Sequence, residues 1–187
     1  MKWSILMITK QSRTVLRNRL LKILEPQLAK YKQDVEFLMR VYDPALSVGQ
    51  QCQMLIDEAK GDYVSFVDDD DLVSVNYIEK IFPLLGTADT VGFKMLRYAT
   101  NQPAKVYTYK FGGGIGRPDA PCMPFYAQTP VRTELVRQVR VEGAREHDVR
   151  WFKKMVDLKI VKSGSFVDDV LYFYLSSPEG HYAEEPQ

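Results

Sequence analysis

The stretch GDYVSFVDDDD, residues 61–71, decides how this chain is read. Residues 63–67 are a short run of β-formers with Gly61 before them and polar residues after, and they read as a buried strand. Four consecutive carboxylates, Asp68, Asp69, Asp70 and Asp71, stand at its C-terminal end. Like charges packed this closely repel and raise one another's pKa, so a chain that gathers them at the mouth of a sheet is expected to neutralise them. A divalent cation would do so. Mg²⁺ and Mn²⁺ take oxygen ligands, and Mg²⁺ is usually held by one or two carboxylates together with the phosphates of a substrate. The plainer alternative is a solvated acidic turn, and the neighbouring sequence decides between them.

Upstream, residues 3–9 (WSILMIT) read as a first buried strand that ends in Lys10, Gln11, Ser12 and Arg13. Leu16, Leu20, Ile23 and Leu24 then recur at helical spacing, with Ser12 or Thr14 as the cap and Pro26 near the end. A second strand over 35–42 ends at Asp43-Pro44. Ser47 caps the next helix, whose apolar face is Val48, Cys52, Leu55, Ile56 and Ala59, and Gly61 is placed to stop it. Beyond the carboxylates, Tyr77, Ile78, Ile81, Phe82 and Leu85 mark another helix. Three β-then-α units in succession predict an α/β fold with a central, mostly parallel sheet and helices on both faces. In such a sheet ligands bind beyond the carboxyl ends of the strands, where Thr9, Arg13, Asp43 and the four aspartates would gather. That convergence favours a metal and nucleotide site over a solvated turn.

After Leu85 the rhythm changes. Residues 90–98, 106–111 and 125–127 read as strands, 132–139 and 146–156 as helices, and 168–175 as a late strand rich in Tyr and Phe. The run FGGGIGRPDAPCMP, residues 111–124, is glycine-rich, but Pro118 and Pro121 forbid the helix that a dinucleotide fingerprint needs, so it reads as a mobile loop. No repeat or low-complexity segment divides the chain, which predicts one domain over residues 1–187.

At 187 residues, 45% hydrophobic and 26% charged, the chain is long enough for a sizeable core, and its formal net charge of +1 argues neither for nor against a polyanionic partner. Cys52 and Cys122 make no disulfide framework, which points to a reducing cytoplasm. The apolar run 3–8 is too short for a signal peptide's core, and no run approaches the ~18 apolar residues of a membrane span. A soluble cytoplasmic protein is the expectation.

Three stretches carry a family resemblance: WSILMITKQSR at the start, SVGQQCQMLIDEAKGDYVSFVDDDDLVSVNYIEKI in the middle, and TPVRTELV with EHDVRWFKKM later. In them the chain resembles the family 2 glycosyltransferases of the GT-A, Rossmann-like fold, in particular short single-domain forms found in phages. The resemblance implies transfer of a sugar, with inversion, from a nucleotide-sugar such as a UDP-sugar, assisted by Mn²⁺ or Mg²⁺. It implies Asp70 as the metal carboxylate and Asp68 as the neighbour that meets the ribose or the metal's water shell. It places Thr9, Arg13 and Asp43 around the nucleobase and ribose, with Gln51 and Asp69 as further nucleotide contacts. Asp148 matches the acid expected to act as general base, and His181 a late histidine that helps hold metal or diphosphate. Two positions depart from the pattern. The middle helix carries Gln51, Cys52 and Gln53 where a basic residue and Asn are usual, and the acidic pair reads His147-Asp148.

Other readings exist. Asp69-x-Asp71 and the late VDDV, residues 167–170, resemble motifs of haloacid-dehalogenase phosphatases, although that family places its first motif on the leading strand. A nucleotidyltransferase would use similar carboxylates, and a non-catalytic nucleotide-sugar-binding module would tolerate the departures. Trp151 and Phe152 are candidates for stacking on a sugar or for the core. Over residues 132–162, nine Lys or Arg stand against five Asp or Glu, so saccharide, protein and modified DNA are all conceivable acceptors.

Overall fold

The computed structural model describes residues 2–99, 103–112, 122–143 and 147–176. Glu146, His181 and most of the glycine-rich run lie outside the described residues. Strand β1 (Trp3–Thr9) is buried on both faces and pairs in parallel with β2 (Val35–Val41) and with β3 (Tyr63–Phe66), Trp3 lying beside both Val35 and Tyr63. Alternate side chains of β1 enter two separate cores, as the two-residue period of a strand requires. Trp3, Ile5 and Met7 join Leu20 and Leu24 of α1 (Thr14–Lys30), while Leu6 joins Val48, Cys52, Leu55 and Ile56 of α2 (Val48–Glu58). The doubly covered sheet expected of three β-α units is present.

Local chemistry sets the helix ends. Helix α2 starts at a capping box in which Ser47 and Gln50 each accept the other's backbone N–H. Helix α1 differs from expectation: it grows out of a 3₁₀ turn over Gln11–Arg13 with no side-chain cap from Ser12 or Thr14. Pro26 sits within α1, and the helix runs on to Lys30. Both Pro26 and Lys22, whose carbonyl loses its partner there, are exposed, so water can satisfy the group.

The second half makes the sheet mixed. After β4 (Leu72–Val73) and α3 (Tyr77–Ile81) come β5 (Thr90–Ala99), β6 (Lys105–Tyr109), β7 (Cys122–Met123) and β8 (Val131–Arg132). They are followed by α4 (Thr133–Val136), α5 (His147–Asp157) and β9 (Gly164–Ser176). The strand order is β2-β1-β3-β8-β5-β6-β7, with β9 paired to β5 and β4. Strand β8 is antiparallel to both β3 and β5, so β5 and β9 again run in the direction of β1. The expected helix over 132–139 is reduced to α4 because residues 131–132 belong to the sheet. Residues 125–127 form no strand; Thr129 closes a turn there through Tyr126, its N–H and hydroxyl both donating to the Tyr126 carbonyl.

Gly61 is required by a close approach. A Cβ there would lie 2.5 Å from Ser4 N and 2.7 Å from Trp3 C, and Gly61 N–H donates to Ser4 Oγ at 2.8 Å. The helix has already ended at Glu58, so the glycine lets the chain pass β1. Gly61→Ala is expected to cost about 1–3 kcal/mol in urea unfolding, the usual penalty of overpacking. A variant as stable as the wild type would contradict this packing.

Candidate active site at the strand ends

The four aspartates divide into two pairs. Asp69 and Asp71 are buried, each 1% exposed, and each is fully engaged by protein. Asp69 Oδ1 lies 2.9 Å from Arg13 Nη1, and its Oδ2 accepts the Lys10 N–H at 3.1 Å. Asp71 Oδ2 accepts the Tyr172 hydroxyl at 2.8 Å, and its Oδ1 accepts the Leu175 N–H at 2.8 Å. Asp68 and Asp70 are half-buried. Asp68 Oδ2 accepts the Gln128 amide at 3.1 Å, and Asp70 Oδ2 lies 3.3 Å from Arg13 Nη1. Burial, then the charges of Asp70 and Asp148, hold the Asp68 carboxyl above the usual carboxylate range. Burial and the Asp68 charge do the same to Asp71, although the Leu175 N–H and Tyr172 hydroxyl pull the other way.

Asp148 reaches this cluster from the first turn of α5. The Tyr126 hydroxyl donates to its Oδ2 at 2.6 Å. Tyr126 is in turn fixed by aromatic packing, stacked on Tyr109 at 5.9 Å and edge-on to Phe152 at 5.5 Å. Helix α5 is anchored by Trp151, Phe152 and Met155, all buried, with Trp151 Nε1 donating to the Val139 carbonyl at 3.0 Å. Trp151 and Phe152 therefore serve the core, and neither presents a face for sugar stacking.

The expected nucleotide residues fare unequally. Asp43 is exposed at the end of β2, where its Oδ1 accepts the Ala45 N–H at 2.9 Å and shapes the turn. Thr9 is buried beneath it, its hydroxyl at 3.5 Å from Arg17 Nη1. Arg13 bridges Asp69 and Asp70. Gln51 is 0% exposed, its Oε1 accepting the Asp43 N–H and its Nε2 donating to the Asp43 and Leu46 carbonyls. It braces the loop that carries Asp43. Gln53 likewise accepts the Val141 N–H and donates to Asp57, so the departures in this helix build scaffold. Asp69, expected as a nucleotide contact, has both its oxygens engaged within the protein. The same burial of Asp69 and Asp71 removes the nucleophile and acid that a phosphatase would need. Cys52 is core, its thiol pushed up by burial.

Among the described residues, no three His, Cys, Asp or Glu side chains group closely enough to enclose a metal. The donor set fits the other arrangement, in which Asp70 and Asp68 hold a hard cation together with substrate phosphates. The mutual repulsion that raises the Asp68 pKa is the field such a cation relieves, and beside Asp68 the buried Gln128 Oε1 has no partner. Tyr126, Gln128 and Tyr172 escaped the sequence reading. For Tyr172 a signal existed, because a buried tyrosine hydroxyl must find a partner.

The profile of glycosyl transferase family 2 matches residues 27–133. No curated protein matches the chain significantly. Among solved structures, S. aureus TarS 1–349 superposes with a TM-score of 0.65 at 16% identity, over 94% of this chain and 60% of that one. Its complex with UDP-GlcNAc gives 0.64 at 14%, over 98% and 62%. Glucosyl-3-phosphoglycerate synthase from Mycobacterium tuberculosis, in complex with Mn²⁺, UDP and phosphoglyceric acid, gives 0.62 at 12%, over 95% and 72%. At such identities the likeness is one of fold, the GT-A fold. The chain spans about three fifths of TarS 1–349.

The electrostatics carry a sign. Carboxyls whose pKa is raised in the folded state bind more protons there than in the unfolded chain, so their contribution to stability is present below about pH 4 and lost as pH rises toward their folded values. In EDTA, the melting temperature is expected to fall between about pH 5 and pH 8. Asp71→Asn should flatten that slope, and Mn²⁺ should restore stability at the upper end. A melting temperature that rises over this interval, in the wild type, would contradict the assignment.

Proposed function

Because the chain belongs to glycosyl transferase family 2, we propose that it transfers a sugar from a nucleotide-sugar to an acceptor hydroxyl, with residues 1–187 acting as one transferase domain. A UDP-sugar is the favoured donor, a reading supported by the UDP-GlcNAc complex of the structural neighbour TarS. The observation that carries the reading is the meeting of Asp148 with the strand-end aspartates. Helix α5 follows β3 by some 80 residues, yet a single turn binds both acids, Tyr126 donating to Asp148 and Gln128 to Asp68.

The geometry supports a direct displacement. Tyr126 holds one carboxylate oxygen of Asp148, and the other takes the proton of the acceptor hydroxyl as its oxygen bonds to the anomeric carbon. The bond from that carbon to the diphosphate breaks with its electron pair going to the departing phosphate oxygen, which inverts the centre. Asp43 and the Thr9–Tyr42 region flank the nucleoside, and Lys10, 5.0 Å from the centre of the Tyr42 ring, adds positive charge on that side. Asp70 and Asp68 would hold Mn²⁺ or Mg²⁺, whose chemistry when bound is to neutralise charge on the diphosphate. The complex of glucosyl-3-phosphoglycerate synthase with Mn²⁺ is in keeping with that choice.

The acceptor is not read from the charge surplus over residues 132–162. Arg132 pairs with Asp89, Arg137 binds the carbonyls of Ile56, Asp57 and Ala59, and Lys153 pairs with Asp157, so part of the surplus is engaged within the fold. Among the described residues no helix is long and apolar enough to cross a membrane.

Asp148→Asn is expected to cut transfer by on the order of 10²-fold or more, with donor affinity nearly unchanged, because the base acts in the transition state. Tyr126→Phe should lower kcat by a smaller factor, ~10-fold, without changing the KM for the donor. Transfer by Asp148→Asn at the wild-type rate, measured by release of the nucleoside diphosphate, would remove Asp148 from this role.

A further inference from the structure

Arg97 is a half-buried arginine of β5. Arg13, Arg40 and Arg132 each pair with a carboxylate. Among the described residues Arg97 has no ion pair. Its Nη1 lies 3.5 Å from the Tyr107 hydroxyl, its guanidinium sits 5.5 Å from the centre of the Tyr174 ring, and its buried Nε has no hydrogen-bond partner. A charge partly withdrawn from water without a counter-charge is costly, and a guanidinium is shaped to receive two oxygens of a carboxylate or phosphate.

A cavity of about 340 Å³ opens beside it, lined by Arg97, Ala99, Pro103, Ala104, Lys105 and Tyr107. Among the described residues the lining carries Arg97 and Lys105 and no acidic side chain. Its place in the sheet ties it to the strand-end site. Arg97 lies beside Tyr174 in the β5–β9 register, two residues beyond the pair Met95 and Tyr172 on the same face. Tyr172 holds Asp71 with its hydroxyl, and Leu175, the residue after Tyr174, holds it with its N–H. The cavity therefore lies beside the stretch of β9 that holds Asp71.

We propose that this cavity is an acceptor subsite that binds an anionic group, phosphate or carboxylate, with Arg97 as the counter-charge and the hydroxyl end of the acceptor left within reach of the strand-end site. The inference rests on the glycosyl-transfer reading and narrows its acceptor to a small anionic hydroxyl compound. Neutral saccharides would leave the guanidinium unpaired, and a fully solvated cation would not need a walled cavity.

The test is calorimetric titration of the full chain with glycerol 3-phosphate, glycerate and glycerol, in the wild type, Arg97→Met, Arg97→Lys and Lys105→Ala. The expected result is that at least one anion binds about 10-fold or more tightly than glycerol, that Arg97→Met abolishes the difference, and that Arg97→Lys retains part of it. Which anion prevails separates a phosphate from a carboxylate acceptor. UDP with Mn²⁺ is titrated in parallel: its failure to bind the wild type would overturn the transferase reading, whereas unchanged UDP binding by Arg97→Met is expected here. Equal binding of all three compounds by the wild type would overturn the proposal. So would anion binding that survives Arg97→Met, or loss of UDP binding alone in that variant, which would assign the guanidinium to the donor. Should Arg97→Met fail to fold, Arg97→Lys and Lys105→Ala, the latter at an exposed position, decide the matter, and unchanged anion affinity in both overturns it.

Discussion

Four negative charges on consecutive residues cannot end a buried strand without partners. Two unit charges about 5 Å apart repel by roughly 3 kcal/mol at an effective dielectric near 20, a large share of a domain's net stability. The chain answers by burying alternate members. Asp69 is bound by Arg13 and the Lys10 N–H just after β1, and Asp71 by Tyr172 and the Leu175 N–H of β9, more than 100 residues away. The Asp69–Arg13 contact is charge-assisted, a type of hydrogen bond that contributes about 1.5–3 kcal/mol. The buried pair thus ties the first and last strands to the third, and Asp68 and Asp70 are left half-buried.

The rest of the architecture follows from keeping that junction rigid. Trp3, Ile5 and Met7 lock one face of β1 beneath α1 and α3, with Trp3 Nε1 donating to Ser65 Oγ in β3, while Leu6 and Val64 lock the other beneath α2 and α5. Insertion of antiparallel β8 between β3 and β5 brings the turn at Tyr126 to Thr129 against the end of β3, where the Phe66 N–H donates to the Ala127 carbonyl. One short segment therefore delivers Gln128 to Asp68 and Tyr126 to Asp148. The aromatic column of Phe93, Tyr109, Tyr126 and Phe152 joins the two cores and fixes the Tyr126 hydroxyl without any charged support.

The first half of the chain was legible because its signals are local. Ser47 and Gln50 announce α2, the alternation of β1 announces a doubly covered strand, and the Asp run announces a site. What was not legible depended on partners distant in sequence. Nothing near Asp69 says that it is consumed by Arg13, and nothing near Gln51 says that it will brace residues 43–46. The antiparallel strand β8 is two residues long, too short for any periodicity, so Arg132 reads as the start of a helix over 132–139. The start of β9 at Gly164 is hidden by the polar Asp168 and Asp169, whose carboxylates pair with Lys94 and Lys80 on the surface.

The division of labour among the four aspartates is the centre of this account, and one comparison tests it most directly. Mn²⁺ and UDP binding, followed by calorimetry, would be measured with urea stability in the four single Asp→Asn variants at positions 68 to 71. The account predicts that Asp70→Asn and Asp68→Asn fold normally and lose Mn²⁺-dependent UDP binding, whereas Asp69→Asn and Asp71→Asn lose about 1–3 kcal/mol of stability and still bind when folded. Equal UDP affinity in EDTA and in Mn²⁺ for the wild type, or stability loss spread evenly over all four positions, would contradict it.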